Sequence, residues 1–375
     1  MSLLARSATL LSREQISHTL QLLFNRMELV DAACPNKFPI YSANTTSRWL
    51  ASSGGSWMGG FWSGCWWLRA QLTESSADRR KAALLCQSLS DKLETDSLNR
   101  TMIFWYGAAL GARWFGDNDA RQQTQKAIDA LISSYDEQMQ CIPLGTAMGG
   151  GKDGARCLSI DTFSSLVQLL SFETSQHNEA IAQQHTNTLL NACFTQEGAF
   201  HSHARYNLEQ QHFQPTDVAG QWSRGQAWGM LGLSQAAQRW GEPYLSQARM
   251  ACEYWQNTRA DDDLPPNQLA QANGACDPSA AIVAALAMLT LSDQCSNGLQ
   301  WRKMAHRQIS KVIHSRYFIQ LEGEHENSGL FWGCYYRTRP DTEEWVESPW
   351  GHFLLMTALA ELNHPATSIE PRFRS

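Results

Sequence analysis

Residues 221–240 read QWSRGQAWGMLGLSQAAQRW. The segment opens on a polar and aromatic cluster, Trp222, Ser223, Arg224, Gln226 and Trp228, and then turns small and apolar. A helix lying on a protein surface alternates its faces from the first turn. This one changes character along its length instead. The pattern predicts a helix whose N-terminal end faces a polar cavity while its body packs among other helices.

Five more stretches share the design: 57–72 (WMGGFWSGCWWLRAQL), 99–114, 158–172 (LSIDTFSSLVQLLSF), 278–292 (PSAAIVAALAMLTLS) and 350–362 (WGHFLLMTALAEL). Amphipathic or polar stretches at 13–30, 77–94, 118–135, 177–193, 243–258 and 299–317 run between them. Ser12 reads as an N-cap, and Asp277-Pro278 and Ser348-Pro349 as cap-plus-proline helix starts. The count is twelve helices in six pairs. A helix that is apolar all round has to be buried, and an inner ring of such helices sheathed by an outer ring buries it. The expected fold is therefore all-α, an (α/α)6 barrel of six helix hairpins, with a short β-hairpin excursion near 195–215. No Pro/Gly/Ser linker divides the chain, so residues 1–375 are read as a single barrel domain.

Composition removes several classes of function. The net charge is -6 with no basic run or face, which argues against nucleic acid and anionic membrane as partners. No apolar run approaches the roughly 20 residues that span a bilayer. The first residues lack the long apolar core and small-residue cleavage site of a signal peptide. Ten cysteines are scattered singly, without a CxxC pair, so neither a disulfide framework nor a metal site is expected. The default setting is the reducing cytoplasm, with no cofactor. The 15 tryptophans serve either large cores or sites for flat, ring-shaped ligands.

In a barrel of alternating direction, the N-termini of all six inner helices meet at one mouth, and the site is expected there. Asp161, just inside an apolar run, has two readings. One is an N-cap bonded to helix amides. The other is a general acid whose pKa is raised by burial among aromatic rings, in which case desolvation must outweigh the helix dipole. Arg224, a turn before Trp228, is either a bidentate clamp for a substrate carboxylate or half of a buried ion pair with a neighbouring hairpin. Trp57, Phe61, Trp222 and Trp228 either stack on sugar faces or pack the core. His201, His203 and His212 fall in the hairpin excursion and serve equally as pocket wall or loop surface; His212 is counted with the binding candidates. The loop GTAMGGGKDGARC (145–157) has Asp153 where a phosphate loop needs Ser or Thr, and reads better as a lip over the mouth.

With these residues in hand, the chain resembles the unsaturated glucuronyl and unsaturated rhamnogalacturonyl hydrolases, glycoside hydrolase families 88 and 105. The resemblance rests on Trp57-Met-Gly-Gly-Phe61-Trp-Ser-Gly, Ile160-Asp161, Trp222-Ser-Arg-Gly-Gln-Ala-Trp228 with Gly232, Asp277-Pro-Ser-Ala-Ala281, Gly329 to Tyr336, and Gly351-His-Phe-Leu-Leu. It runs from about residue 55 to the C-terminus, and WSRGQAW is its most specific part. It implies an (α/α)6 barrel that removes a terminal 4,5-unsaturated uronic acid from a small oligosaccharide. The chemistry is hydration of a vinyl ether rather than displacement by two carboxylates. The resemblance gives Asp161 the acid/base role and places Arg224 and Trp228 in the substrate pocket. The family carries a second aspartate at an earlier inner helix. Aligning on Gly116-Asp117 puts Asn99 there, a side chain that hydrogen-bonds but cannot ionise, with Asp96 close by as a substitute. Asn99 is counted beside Asp161 as a catalytic position.

Two other readings stand. An inverting glycosidase on the same barrel pairs Asp161 with Asp277 or Glu347, and a sugar epimerase uses paired histidines. A non-catalytic sugar-binding relative is the third, motivated by Asn99.

Overall fold

A computed structural model describes residues 10–43, 48–259, 263–271, 274–321 and 328–363 of the chain. Ser12 starts the first helix through a reciprocal capping box: its Oγ accepts from the Gln15 amide, and Gln15 Oε1 accepts from the Ser12 amide. Among the described residues twelve helical rods follow in chain order. They are α1 (Arg13–Ala33), α2 (Met58–Thr73), α3 (Ser76–Gln87), α4 (Arg100–Phe104 continued through Trp105–Ala109 and Leu110–Phe115), α5 (Asn118–Ile132) and α6 (Phe163–Leu170), then α7 (Gln176–Cys193), α8 (Ser223–Trp240), α9 (Tyr244–Thr258), α10 (Pro278–Ser292), α11 (Gly298–Ile313) and α12 (Pro349–Asn363).

The even-numbered rods form a closed ring, α2 on α4, α4 on α6, and so round to α12, which returns to α2. Each odd-numbered rod packs on the outside of its inner neighbour. The apolar-all-round signature explains the sorting. In α10 every residue except Thr290 and Ser292 is buried. Trp62, Trp67, Trp255 and Trp301 are among the largest fully buried side chains, so part of the tryptophan excess goes into packing.

Small residues let the inner ring close. A Cβ on Gly60 of α2 would lie 2.5 Å from the Ile103 backbone of α4. In α4, Trp105–Ala109 forms a π-helical turn, which loosens the backbone ladder. The Gly107 carbonyl there accepts from Ser63 Oγ at 3.0 Å and Trp67 Nε1 at 2.9 Å, locking α4 to α2.

The all-α expectation needs one addition. The hairpin β4 (His203–Asn207) and β5 (His212–Pro215) lies where it was expected, and β3 (Cys157–Ser159) joins it in an antiparallel sheet. Two further antiparallel pairs occur, β1 (Phe38–Tyr41) with β2 (Leu50–Ser52) and β6 (Cys334–Arg339) with β7 (Thr342–Val346). All of these strands lie in connections that lead into the N-terminus of an inner helix, and so they build the mouth.

Candidate active site

The starts of five inner helices, all but α10, converge on a cavity of about 220 Å³ lined by Trp57, Asn99, Met102, Leu144, Met148, Gly149, Ser159, Asp161, His203, Arg224, Trp228, Tyr336 and Trp350. Asp161 is its only carboxyl among the described residues. The strand β3 ends at Ser159, and a single 3-10 turn, Ile160–Thr162, carries Asp161 before α6 begins. That turn counts against the capping reading of Asp161. The start of α6 has no side-chain cap bond, and the Oδ1 of Asp161 is buried without a hydrogen-bond partner among the described residues. Burial raises its pKa, and the charges of His203 and Arg224 only partly offset that rise.

The His203 side chain arrives through sheet register. Ser159 of β3 pairs with His203 of β4, and the Ile160 amide donates to the Ser202 carbonyl at 3.0 Å, which sets the histidine beside the Asp161 turn. The histidine chosen from sequence, His212, is on exposed β5, its ring at the Gln210 carbonyl, away from the cavity. His201 is tied to Asp217 and also lies outside the lining. Nothing local distinguishes the three, so the choice of His212 had no support from its neighbours; the β3–β4 pairing, remote in sequence, brings His203 to the cavity instead.

Arg224 lies in the cavity wall and is also ion-paired. Its Nη1 donates to Asp277 Oδ2 and, at 2.8 Å, to the Tyr335 carbonyl. Its guanidinium carbon stands 5.0 Å from the Trp222 ring and 5.1 Å from the Trp350 ring. Asp277 was read as an N-cap for α10, but makes no cap bond there. Its carboxyl is fully buried and goes to Arg224 and the Ser279 hydroxyl. Trp222 thus supports Arg224 and is not part of the lining.

Trp57 and Trp228 line the cavity, but Phe61 sits one layer beneath it. Fully buried, it packs edge-on to Trp57 and stacks on Tyr106 at 4.3 Å between ring centroids. Asn99 donates from Nδ2 to the Met148 carbonyl at 3.0 Å, so the Gly-rich loop is held against the mouth as a lip. Asp96 does not stand in for the missing aspartate. It lies outside the lining, its carboxylate held below its ordinary pKa by the Thr146 hydroxyl and amide. Tyr336 was quoted only as part of a motif; strand β6 turns it to the cavity beside Trp57, their rings 6.4 Å apart. Among the described residues no group of three or more His, Cys, Asp or Glu side chains could hold a metal ion.

The comparisons agree with this architecture. No family model matches the chain. An unsaturated glucuronyl hydrolase of Bacillus sp. (strain GL1) is 23% identical over 354 residues, covering 88% of this chain and 92% of that one. An unsaturated chondroitin disaccharide hydrolase of Streptococcus pneumoniae is 25% identical over 238 residues, 60% of this chain and 59% of that one. The crystal structure of the unsaturated glucuronyl hydrolase from Bacillus sp. GL1 superposes with a TM-score of 0.81 at 18% identity, covering 94% of this chain and 97% of that one. The fold is that of the unsaturated glucuronyl hydrolases. A second such hydrolase, from Streptococcus agalactiae, has a TM-score of 0.79 at 16% identity over 95% of this chain and 94% of its own. The resemblance to unsaturated glucuronyl hydrolases read from WSRGQAW and its companions is borne out by these relatives.

Proposed function

We propose that the chain is a glycoside hydrolase that removes a terminal 4,5-unsaturated uronic acid from a small oligosaccharide by hydrating its vinyl ether. The observation that carries this is the Asp161 carboxyl, its Oδ1 without a hydrogen-bond partner and its pKa raised by burial, in an aromatic cavity that holds no second carboxyl among the described residues. Displacement by a nucleophile and an acid requires two carboxyls facing one bond. Vinyl-ether hydration requires one. Asp161 delivers its proton to C4, and positive charge develops at C5 and the ring oxygen. Water adds at C5 and gives its proton back to the Asp161 carboxylate. The hemiketal then opens, leaving C1 as a hemiacetal that expels the neighbouring sugar. Trp57, Trp228 and Tyr336 offer ring faces to the uronate, and Arg224 and His203 face its carboxylate.

The inverting reading loses its second carboxylate. Asp277 is buried on Arg224, and Glu347 is buried between Arg26 and His352. An epimerase using two histidines fits poorly, since His203 is the only histidine in the lining among the described residues. The ten cysteines, all unpaired, support a reducing cytoplasmic setting.

The test follows the ultraviolet absorbance of the double bond in an unsaturated uronyl disaccharide. The wild type should abolish it with time. Asp161→Asn should slow the reaction at least ~10³-fold while keeping the helical circular dichroism, as expected for loss of an essential acid. Near-normal turnover by that variant would end the mechanism. Thermal stabilisation by the disaccharide with no wild-type turnover would favour the non-catalytic relative.

A further inference from the structure

An arginine that receives a uronate carboxylate creates a difficulty for the acid beside it. Its charge draws the proton off Asp161, and Asp161 must keep that proton to act. We propose that Asp277 is a positioning residue that fixes the Arg224 guanidinium at the cavity wall and offsets its charge. The inference rests on the hydrolase reading above. Asp277 is completely buried and outside the cavity lining, and reaches the site only through Arg224. Arg224 Nη1 is engaged by Asp277 Oδ2 and the Tyr335 carbonyl, and Ser279 Oγ donates to the other oxygen, Oδ1. With Nη1 so occupied and the guanidinium clasped between Trp222 and Trp350, the rest of its edge is presented in one orientation.

The groups facing Asp161 can be named. From β4 there is His203, and from α8 Arg224; Ser159 of β3, Asn99 of the α4 start and Tyr336 of β6 contribute no carboxylate. Asp277 acts only through Arg224.

Two variants test this, Asp277→Asn and the gentler Ser279→Ala, which leaves the carboxyl but removes a donor that orients it. Asp277→Asn should move the alkaline limb of the kcat/KM profile downward by about one pH unit, because uncompensated Arg224 disfavours protonated Asp161. It should also raise KM more than it lowers kcat. Ser279→Ala should give a smaller change of the same kind. The ¹³C carboxyl resonance of Asp161, assigned with Asp161→Asn, should titrate at lower pH in Asp277→Asn than in wild type. That measurement needs no substrate, so it stands even if the hydrolase reading fails. An unmoved titration and pH limb, with kcat/KM falling only as the folded fraction falls, would overturn the proposal. If Asp277→Asn does not fold, an unmoved titration in Ser279→Ala overturns it alone.

Discussion

At the scale of single residues, the site turns on one carboxyl and one amide. Burial raises the Asp161 pKa, so the folded state binds a proton there that the unfolded chain releases in the ordinary carboxyl range. Its sign is therefore unfavourable: this residue removes stability as pH rises from that range through the folded-state value. Asp161→Asn should accordingly melt at or above the wild-type temperature at neutral pH while losing turnover, measured by calorimetry beside the absorbance assay. Asn99 stands where the resemblance implies an aspartate, and its Nδ2 holds the Met148 carbonyl. Asn99→Asp puts a carboxyl against that carbonyl and into the cavity of Asp161. It should raise the alkaline limb of kcat/KM by up to about one unit, since like charges sharing a site resist joint ionisation. An unmoved limb would mean the two groups do not interact.

At the scale of elements, inner-helix packing decides which glycines can change. Alanine at Gly60 would by itself favour helix α2 by about 0.5–1 kcal/mol. The added Cβ would instead meet the Cα and carbonyl of Ile103 at 2.5 Å, and backbone of a packed neighbouring helix does not yield as a flexible side chain does. Overpacking of about 1–3 kcal/mol wins. Gly60→Ala should lower the melting temperature by several degrees and leave KM unchanged; a more stable variant would show that α2 and α4 can slide apart. The same scale explains which helix features were legible. The Ser12 cap and the apolar run of α10 depend on neighbours in sequence, and both were readable. The role of Asp277 was not. An aspartate before a proline looks like a cap whatever lies across the barrel, and only Arg224, 53 residues away, redirects its carboxyl.

At the scale of the whole molecule, the ring is sealed where its ends meet. Arg26 of α1 donates to both oxygens of Glu347, just ahead of α12, and His352 of α12 lies 2.8 Å from Glu347 Oε1. Burial alone would raise the Glu347 pKa, but Arg26 and His352 hold it below its ordinary value. That contribution is present above the ordinary carboxyl range and is lost as pH falls through the depressed value. Arg26→Met strands a buried carboxylate and should cost about 3–5 kcal/mol, read as a lower denaturant midpoint with unchanged turnover per folded molecule. Glu361, near the far end of α12, behaves oppositely. Burial raises its pKa to about 7, with Arg302 opposing. Its effect on stability is therefore adverse as pH rises from the ordinary carboxyl range to about 7. Glu361→Gln should flatten the melting temperature across that window.

Helix order, the alternation of apolar and amphipathic rods and the convergence of polar helix starts follow from local periodicity, so the sequence by itself determined the barrel and the neighbourhood of its mouth. Asp161 was visible too, as a lone carboxyl entering an apolar run, though its two roles were not separable. Tertiary structure alone decided that its Oδ1 is unpartnered and caps no helix, that His203 and not His212 joins it, that Phe61 is floor and not wall, and that Arg224 is bound to Asp277. Each of those outcomes depends on strand register or side-chain contact between segments distant in sequence, and residue type and spacing carry no record of what lies across a fold.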